Sequence, residues 1–287
     1  MNIPWSLGVT AVAFFHVVAV ILLRELASEF LFPRLKLSRG AMGSQFPASQ
    51  FVAKVMTRLS LFHFEWRRDF MWAFILTFQV YIICQLPLTG KTTLLFERPA
   101  LSLIAFFLMT RTLVVLVWWY ESKGTRPSLF LKHVQSAFVS LAAVITIITT
   151  LNVWTQTDTL DASRIENAAF SNPILFLGLV CCLLLTPAFR IEIPLRAEGW
   201  GLEAAVKVLS EMFWLSLLVV LFLGRLLDQG PLALLEASVK TAVLFFICDL
   251  GGVFFSAIRK TTTDQVNLTL LIPLSVLSAI SLLWRAL

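Results

Sequence analysis

Charge is scarce in this sequence. Only 14% of its 287 residues are Asp, Glu, Lys or Arg, against 58% that are hydrophobic. A soluble domain covers its surface with roughly 25% charged residues, so a large water-exposed fold is not expected. Cysteine is sparse too. Cys84, Cys181, Cys182 and Cys248 all fall inside apolar runs and form no CxxC pair, so they read as small core residues. An iron–sulfur or zinc site carried by this chain alone is not expected. Of the three histidines, His63 and His133 stand at loop edges of distant elements, a poor arrangement for paired haem ligation, and His16 lies within an apolar run. Catalytic signatures are missing: there is no GxSxG, HExxH, phosphate loop or dinucleotide fingerprint. No basic helix or stacking platform stands outside the apolar runs, so nucleic acid is not an expected partner.

What the sequence has is apolar length. Long hydrophobic runs read as membrane spans at roughly 7–23, 69–87, 101–120, 134–152, 172–189, 204–224, 232–257 and 267–284. Glycine and proline sit mainly at their edges, as in LPLTG after the second run and LTPAF at the end of the fifth. No internal repeat divides the chain. The expectation is an all-α, polytopic membrane protein of about eight transmembrane helices, folded as a single domain over 1–287. The first run lacks a positive leader and a small-residue cleavage site, so it reads as a retained span rather than a signal peptide.

The formal charge of +6 is first a topology signal. The connections after spans one, three, five and seven hold sixteen Lys and Arg, Arg24 among them; the opposite side holds six. The positive-inside rule puts the richer side in the cytoplasm or matrix. An even number of spans then leaves both termini on the periplasmic or intermembrane side. The long connection after span one is partly apolar. Phe46, Phe51, Val52, Val55, Met56 and Leu59 recur at helical spacing with Lys54 and Arg58 among them, the pattern of an amphipathic helix lying at the interface. Such a helix serves as a surface anchor or as the roof of a cavity between spans.

Ionisable residues inside spans are costly and normally face protein or water. Here they are Arg111 in span three, Glu211 in span six and Asp249 in span seven, with His16 in span one. A carboxylate in such a place is a candidate proton carrier. Equally, Arg111 with Asp249 or Glu211 would make a static buried pair. Glu236 and Lys240, four apart on one helical face, are expected to pair. A further cluster follows span five, where FRIEIPLRAEGWGLEAAVK brings Arg190, Glu192, Arg196, Glu198, Glu203 and Lys207 close in sequence. It reads either as a solvated loop or as a docking surface and proton entrance.

The order of these features resembles the family of subunit 1 of respiratory complex I, which includes the matching membrane subunit of energy-converting hydrogenases. In LKLSRGAMGSQFPASQFVAKVMTRL, residues 35–59, Arg39, Gly40, Gly43 and Gln50 match the family's glycine-rich motif before its amphipathic helix. Trp119 and Lys132 keep the spacing of a Trp and an Arg around the loop entering span four. RIEIP resembles the family's Pro-Phe-Asp-Leu-Pro, with Glu192 in the place of the Asp, and Glu211 falls where the next helix carries Ala-Glu-Tyr. RKTTTDQVNLTLLIPL resembles the closing motif through Arg259, Asp264, Gln265 and Pro273. The chain departs from the pattern at Leu185, where the family has Glu, at Lys54, where an Asp is usual, and in a shortened loop after span five, so the resemblance is to a divergent member.

The resemblance implies an enzyme subunit without a redox centre, at the junction of the membrane and peripheral arms of a proton-translocating NADH:quinone oxidoreductase. It implies a quinone tunnel lined by Arg39, Phe46, Phe51, Val55 and Trp119. A proton relay would run through Glu192, Glu198, Glu211 and Asp249, with Arg111 holding a carboxylate. Ubiquinone would be the substrate, and iron–sulfur clusters and FMN would reside in partner subunits. The expected partners are the peripheral-arm quinone-site subunits, small membrane subunits and lipid. The expected location is the mitochondrial inner membrane, with a bacterial inner membrane as the alternative. The rival readings are the homologous subunit of a membrane-bound hydrogenase or ferredoxin-driven complex, favoured by the shortened loop, and a stand-alone transporter or membrane anchor.

Overall fold

The computed structural model of the chain describes residues 5–34, 66–86, 88, 99–121, 131, 176, 179–180, 183, 202–223 and 231–258. Among the described residues the structure is helical and contains no strand. Helix α1 spans Trp5–Arg34, α2 Trp66–Cys84, α3 Pro99–Glu121, α4 Leu202–Leu218 and α5 Pro231–Ile258; α4 continues into a π-helical segment, Val219–Leu223. These five helices coincide with the apolar runs one, two, three, six and seven. Of the other three, only Phe176, Leu179, Val180 and Leu183 are described, and all four are helical. The segment expected to form the interface helix lies outside the described residues.

The helix ends follow local chemistry. Helices α3 and α5 both open on proline, whose missing N–H is no loss in a first turn. Helix α2 closes with two tightened bonds, Gln85 N to Ile82 O (3.0 Å) and Leu86 N to Ile83 O (3.1 Å), just before Pro87, which cannot extend it. Helix α1 corrects an expectation. Its apolar run stops at residue 23, but the helix, 30 residues long in all, continues to Arg34. The stretch RELASEFLF contains neither glycine nor proline and favours helix, and termination waits for Pro33. Arg24 therefore sits on a helix, not in a connection.

Helix α1 packs most extensively on α5, and α2 on α4; α2 also touches α1 and α3, and α4 touches α5. His16 meets Ser238 and Arg24 meets Asp249, in the same order along both helices, so α1 and α5 run in the same direction. The main core gathers Val20, Ile82, Phe213, Trp214, Phe222 and Phe245 from four helices, joined by Phe107 of α3, whose ring lies 5.1 Å from that of Phe213 and 6.4 Å from that of Trp214. A smaller core joins Trp72 and Ile75 of α2 to Val114 of α3 and Val206 of α4.

Polarity is arranged inside out. His16, Gln79, Arg111, Glu211, Ser238 and Asp249 are buried. Large apolar side chains face outward in rows one turn apart: Phe14, Val18, Leu22 and Leu26 on α1, and Leu232, Leu235, Val239, Val243 and Ile247 on α5. One described helix, Pro231–Leu250, is long and apolar enough by length and composition to cross a membrane; Thr10–Arg24, Phe70–Cys84 and Phe107–Val117 are shorter apolar stretches.

Candidate functional site

The buried polar groups fall into three sets along the helix contacts. The first is an ion pair between α1 and α5. Arg24 Nε donates to Asp249 Oδ2 at 3.0 Å and Nη2 donates to Oδ1 at 3.0 Å, a two-pronged grip on a carboxylate that is only 4% exposed. The guanidinium also lies 4.6 Å from the ring centre of Phe245, one turn before Asp249 on α5. Planar guanidinium suits both contacts at once, as a lysine ammonium would not. Asp249 thus has Arg24 as a cation, a partner not among those expected for it. The sequence pointed elsewhere because Arg24 follows the apolar run by one residue.

The second set joins α1, α4 and α5. His16 is fully buried, with Nδ1 2.9 Å from Ser238 Oγ and Nε2 2.9 Å from Ser216 Oγ. Both serines are fully buried as well, and Ser238 also donates to Leu234 O at 2.8 Å. Beyond Ser216 the helix widens into its π-helical segment, and Lys240 Nζ donates to Leu223 O within it at 3.3 Å while pairing with Glu236. The Glu236–Lys240 pair matches the expectation from their spacing.

The third set lies between α2, α3 and α4. Gln79 Nε2 donates to Ser210 Oγ, and Glu211 follows directly on the same turn of α4. Glu211 is buried, as are Arg111 and Thr110 of α3. Among the described residues, the side-chain oxygens of Gln79 and Gln85 are buried without a hydrogen-bond partner. An amide oxygen so placed is commonly met by an internal water. Trp119, expected at the quinone tunnel, stands two turns beyond Arg111, half-buried near the end of α3.

No family model matches the chain, and no curated protein matches it.

Of the residues expected to carry function, Arg111, Glu211, Asp249 and Trp119 lie on described helices, the first three buried. Arg39, Phe46, Phe51, Val55, Glu192 and Glu198 lie outside the described residues, as do His63 and His133. Ser216, Ser238 and Gln79 were missed in sequence because a lone serine or glutamine in an apolar run carries no periodic signal. Among the described residues no three His, Cys, Asp or Glu side chains come together as a metal site. The described residues offer an ion pair, a hydrogen-bonded imidazole, a buried carboxylate and two buried amide oxygens without a hydrogen-bond partner. Groups of this kind can hold or pass a proton inside an apolar bundle.

Proposed function

We propose that this chain is a polytopic membrane subunit of about eight spans that handles protons within its helix bundle. Its inside-out polarity carries the reading: apolar rows on the outer faces of α1 and α5, and ionisable groups within. In hydrocarbon, outward leucine and phenylalanine are neutral to association, so helices are held by close packing and by interhelical polar contacts. Arg24–Asp249, His16 with its two serines, and Gln79–Ser210 are contacts of that kind. The parallel course of α1 and α5 also supports the reading, because spans one and seven of an alternating bundle cross in the same direction.

Within that class we infer the heel subunit of a respiratory complex I, on the motif order from Arg39 to Gln265. Quinone would enter from the bilayer beneath the segment holding Phe46, Phe51 and Val55. A partner's iron–sulfur cluster would reduce it, fed by FMN in another subunit. This chain's part is to line the tunnel and to couple reduction to proton movement. Glu211 is the member we favour as the proton carrier. Asp249, gripped at both oxygens, enters as a fixed charge, since taking up a proton there sacrifices two charge-assisted bonds. Glu192 and Glu198 would feed Glu211 from the positive side. The location that goes with this reading is the mitochondrial inner membrane, or a bacterial inner membrane, with both termini on the side away from the basic loops.

The shortened loop after span five favours the second reading, the homologous subunit of a membrane-bound hydrogenase. Native mass spectrometry of the complex solubilised from membranes separates them. Co-purification with quinone-site and flavin-bearing subunits is expected. A large nickel-site subunit would transfer the chain to the hydrogenase class, and a chain that migrates alone would overturn both assignments.

A further inference from the structure

The hydrogen bonds around His16 fix more than its position. Ser238 has one hydroxyl hydrogen, and the carbonyl of Leu234 lies 2.8 Å from its oxygen, one turn back, to receive it. Ser238 Oγ is then an acceptor towards His16 Nδ1 at 2.9 Å, so Nδ1 carries a hydrogen. Ser216 makes no such bond to its own helix. Its hydroxyl hydrogen has one acceptor in reach, the bare Nε2 of His16 at 2.9 Å. With the side chains as they stand, a hydrogen on Nε2 instead, or on both nitrogens, leaves the Ser216 hydrogen facing no acceptor in a fully buried site, so the hydroxyl has to turn away. In the observed rotamers, only the neutral ring with Nδ1–H satisfies every donor.

We propose that His16 is a reversible proton-binding site, resting as the neutral Nδ1–H imidazole, at which uptake of one proton on Nε2 is coupled to the turning of Ser216. Binding a proton at Nε2 takes away the acceptor of the Ser216 hydroxyl. The hydroxyl must then turn to another, and the open acceptor one turn back is Met212 O, the bond that Ser238 already makes in its own helix with Leu234 O. One proton enters, the ring gains one charge, and the N–H formed is the only covalent bond that changes; the Ser216 hydroxyl exchanges one hydrogen-bond acceptor for another. The switch stands immediately before the π-helical segment Val219–Leu223, a geometry common where helices have to adjust. The charged residues on the three helices around it are Arg24, Glu25, Glu29 and Arg34 on α1, Glu203, Lys207 and Glu211 on α4, and Glu236, Lys240 and Asp249 on α5; Arg24 with Asp249 and Glu236 with Lys240 are already paired. Nothing in this step depends on which complex the chain joins.

The test is ¹⁵N solid-state NMR on the full chain in lipid bilayers, labelled at histidine nitrogen and serine Cβ. The His16 signals are identified by their loss in His16→Gln, and those of Ser216 by their loss in Ser216→Ala. The expected result at neutral pH is a protonated Nδ1 and a bare Nε2 for His16. Ser238→Ala, a mild change that removes the acceptor of Nδ1–H, should move the hydrogen to Nε2. On acidification the Ser216 Cβ signal should shift in step with the His16 ring. A resting Nε2–H or doubly protonated ring, an unchanged tautomer in Ser238→Ala, or a Ser216 signal indifferent to the titration would each overturn the proposal. Because the sample is the chain alone, a failed assignment to a respiratory complex leaves this result standing, and the reverse.

Discussion

At the scale of single residues, Arg111, Glu211 and Asp249 are charges kept in buried positions. Arg24 and Asp249 illustrate the cost. Removing one member of a buried pair strands the other, which typically costs about 3–5 kcal/mol, whereas replacing both by apolar groups of similar size is often neutral. Arg24 keeps 21% of its side chain exposed, so the lower end of that range applies. Asp249→Leu should therefore lower stability by about 3 kcal/mol, and Arg24→Met with Asp249→Leu should recover most of the loss, read as unfolding midpoints in mild detergent. Equal midpoints for the single and double variants would show that the pair has no coupling energy. Glu211 answers to a different measurement. Glu211→Gln keeps shape and hydrogen-bonding capacity but cannot release a proton, so assembled complex with lower coupled turnover is expected. Normal pumping by an assembled variant would make Glu211 structural. Among these residues the sequence exposed the charges but not their partners. Arg111, Glu211 and Asp249 announced themselves as ions in apolar runs, and Glu236–Lys240 by their spacing. Arg24–Asp249 joins positions 225 apart, and His16 reaches serines 200 and 222 residues away, distances over which no local pattern operates.

At the scale of elements, apolar length was legible and helix ends were less so. The runs at 69–87, 101–120, 204–224 and 232–257 fall within a few residues of α2, α3, α4 with its π-helical continuation, and α5. Proline marked the starts of α3 and α5 and the stop of α2. Helix α1 outran its hydrophobic segment because hydropathy ends at Arg24 while helix propensity does not. The π-helical widening of α4 was invisible, since VVLFL reads as ordinary apolar helix and the Lys240 ammonium that meets the Leu223 carbonyl comes from another element. Which face of each helix looks outward follows from packing and can be checked directly. Nitroxide labels at Val239, Val243 and Ile247 on α5 should collide freely with oxygen and rarely with a water-soluble nickel reagent, as lipid-facing sites do. Labels at Ser238 and Thr241, both fully buried, should be shielded from both. High nickel accessibility along the outer row would mean that water, not lipid, covers this face, and the membrane reading would fall.

At the scale of the whole molecule, charge bias and helix direction make independent statements about topology. The bias rests on Lys and Arg in the connections; with Arg24 and Arg34 on α1, Arg67 and Arg68 on α2, Lys207 on α4 and Lys240 on α5, the richer side keeps eleven against five, so the orientation it implies is unchanged. Direction rests on the ordered contacts of α1 with α5, which place the starts of these two helices on one side of the bundle and their ends on the other. That second statement needs no charge rule and no knowledge of the segments between. Both converge on one labelling experiment. Single cysteines at Asn2 and Gly230 should react with a membrane-impermeant maleimide from the periplasmic or intermembrane side, and those at Gly124 and Thr262 only from the opposite side. Agreement of Asn2 with Gly230 tests the parallel helices alone. Agreement of Gly124 with Thr262 adds the alternating crossing of spans three and seven, and the absolute side adds the positive-inside rule. If Asn2 and Gly230 label from opposite sides, the α1–α5 contact cannot form within one bundle, and the Arg24–Asp249 pair falls with it. If they agree but face the basic side, the bundle stands and only its orientation reverses, which would carry the proposed proton entrance near Glu192 and Glu198 to the other face of the membrane.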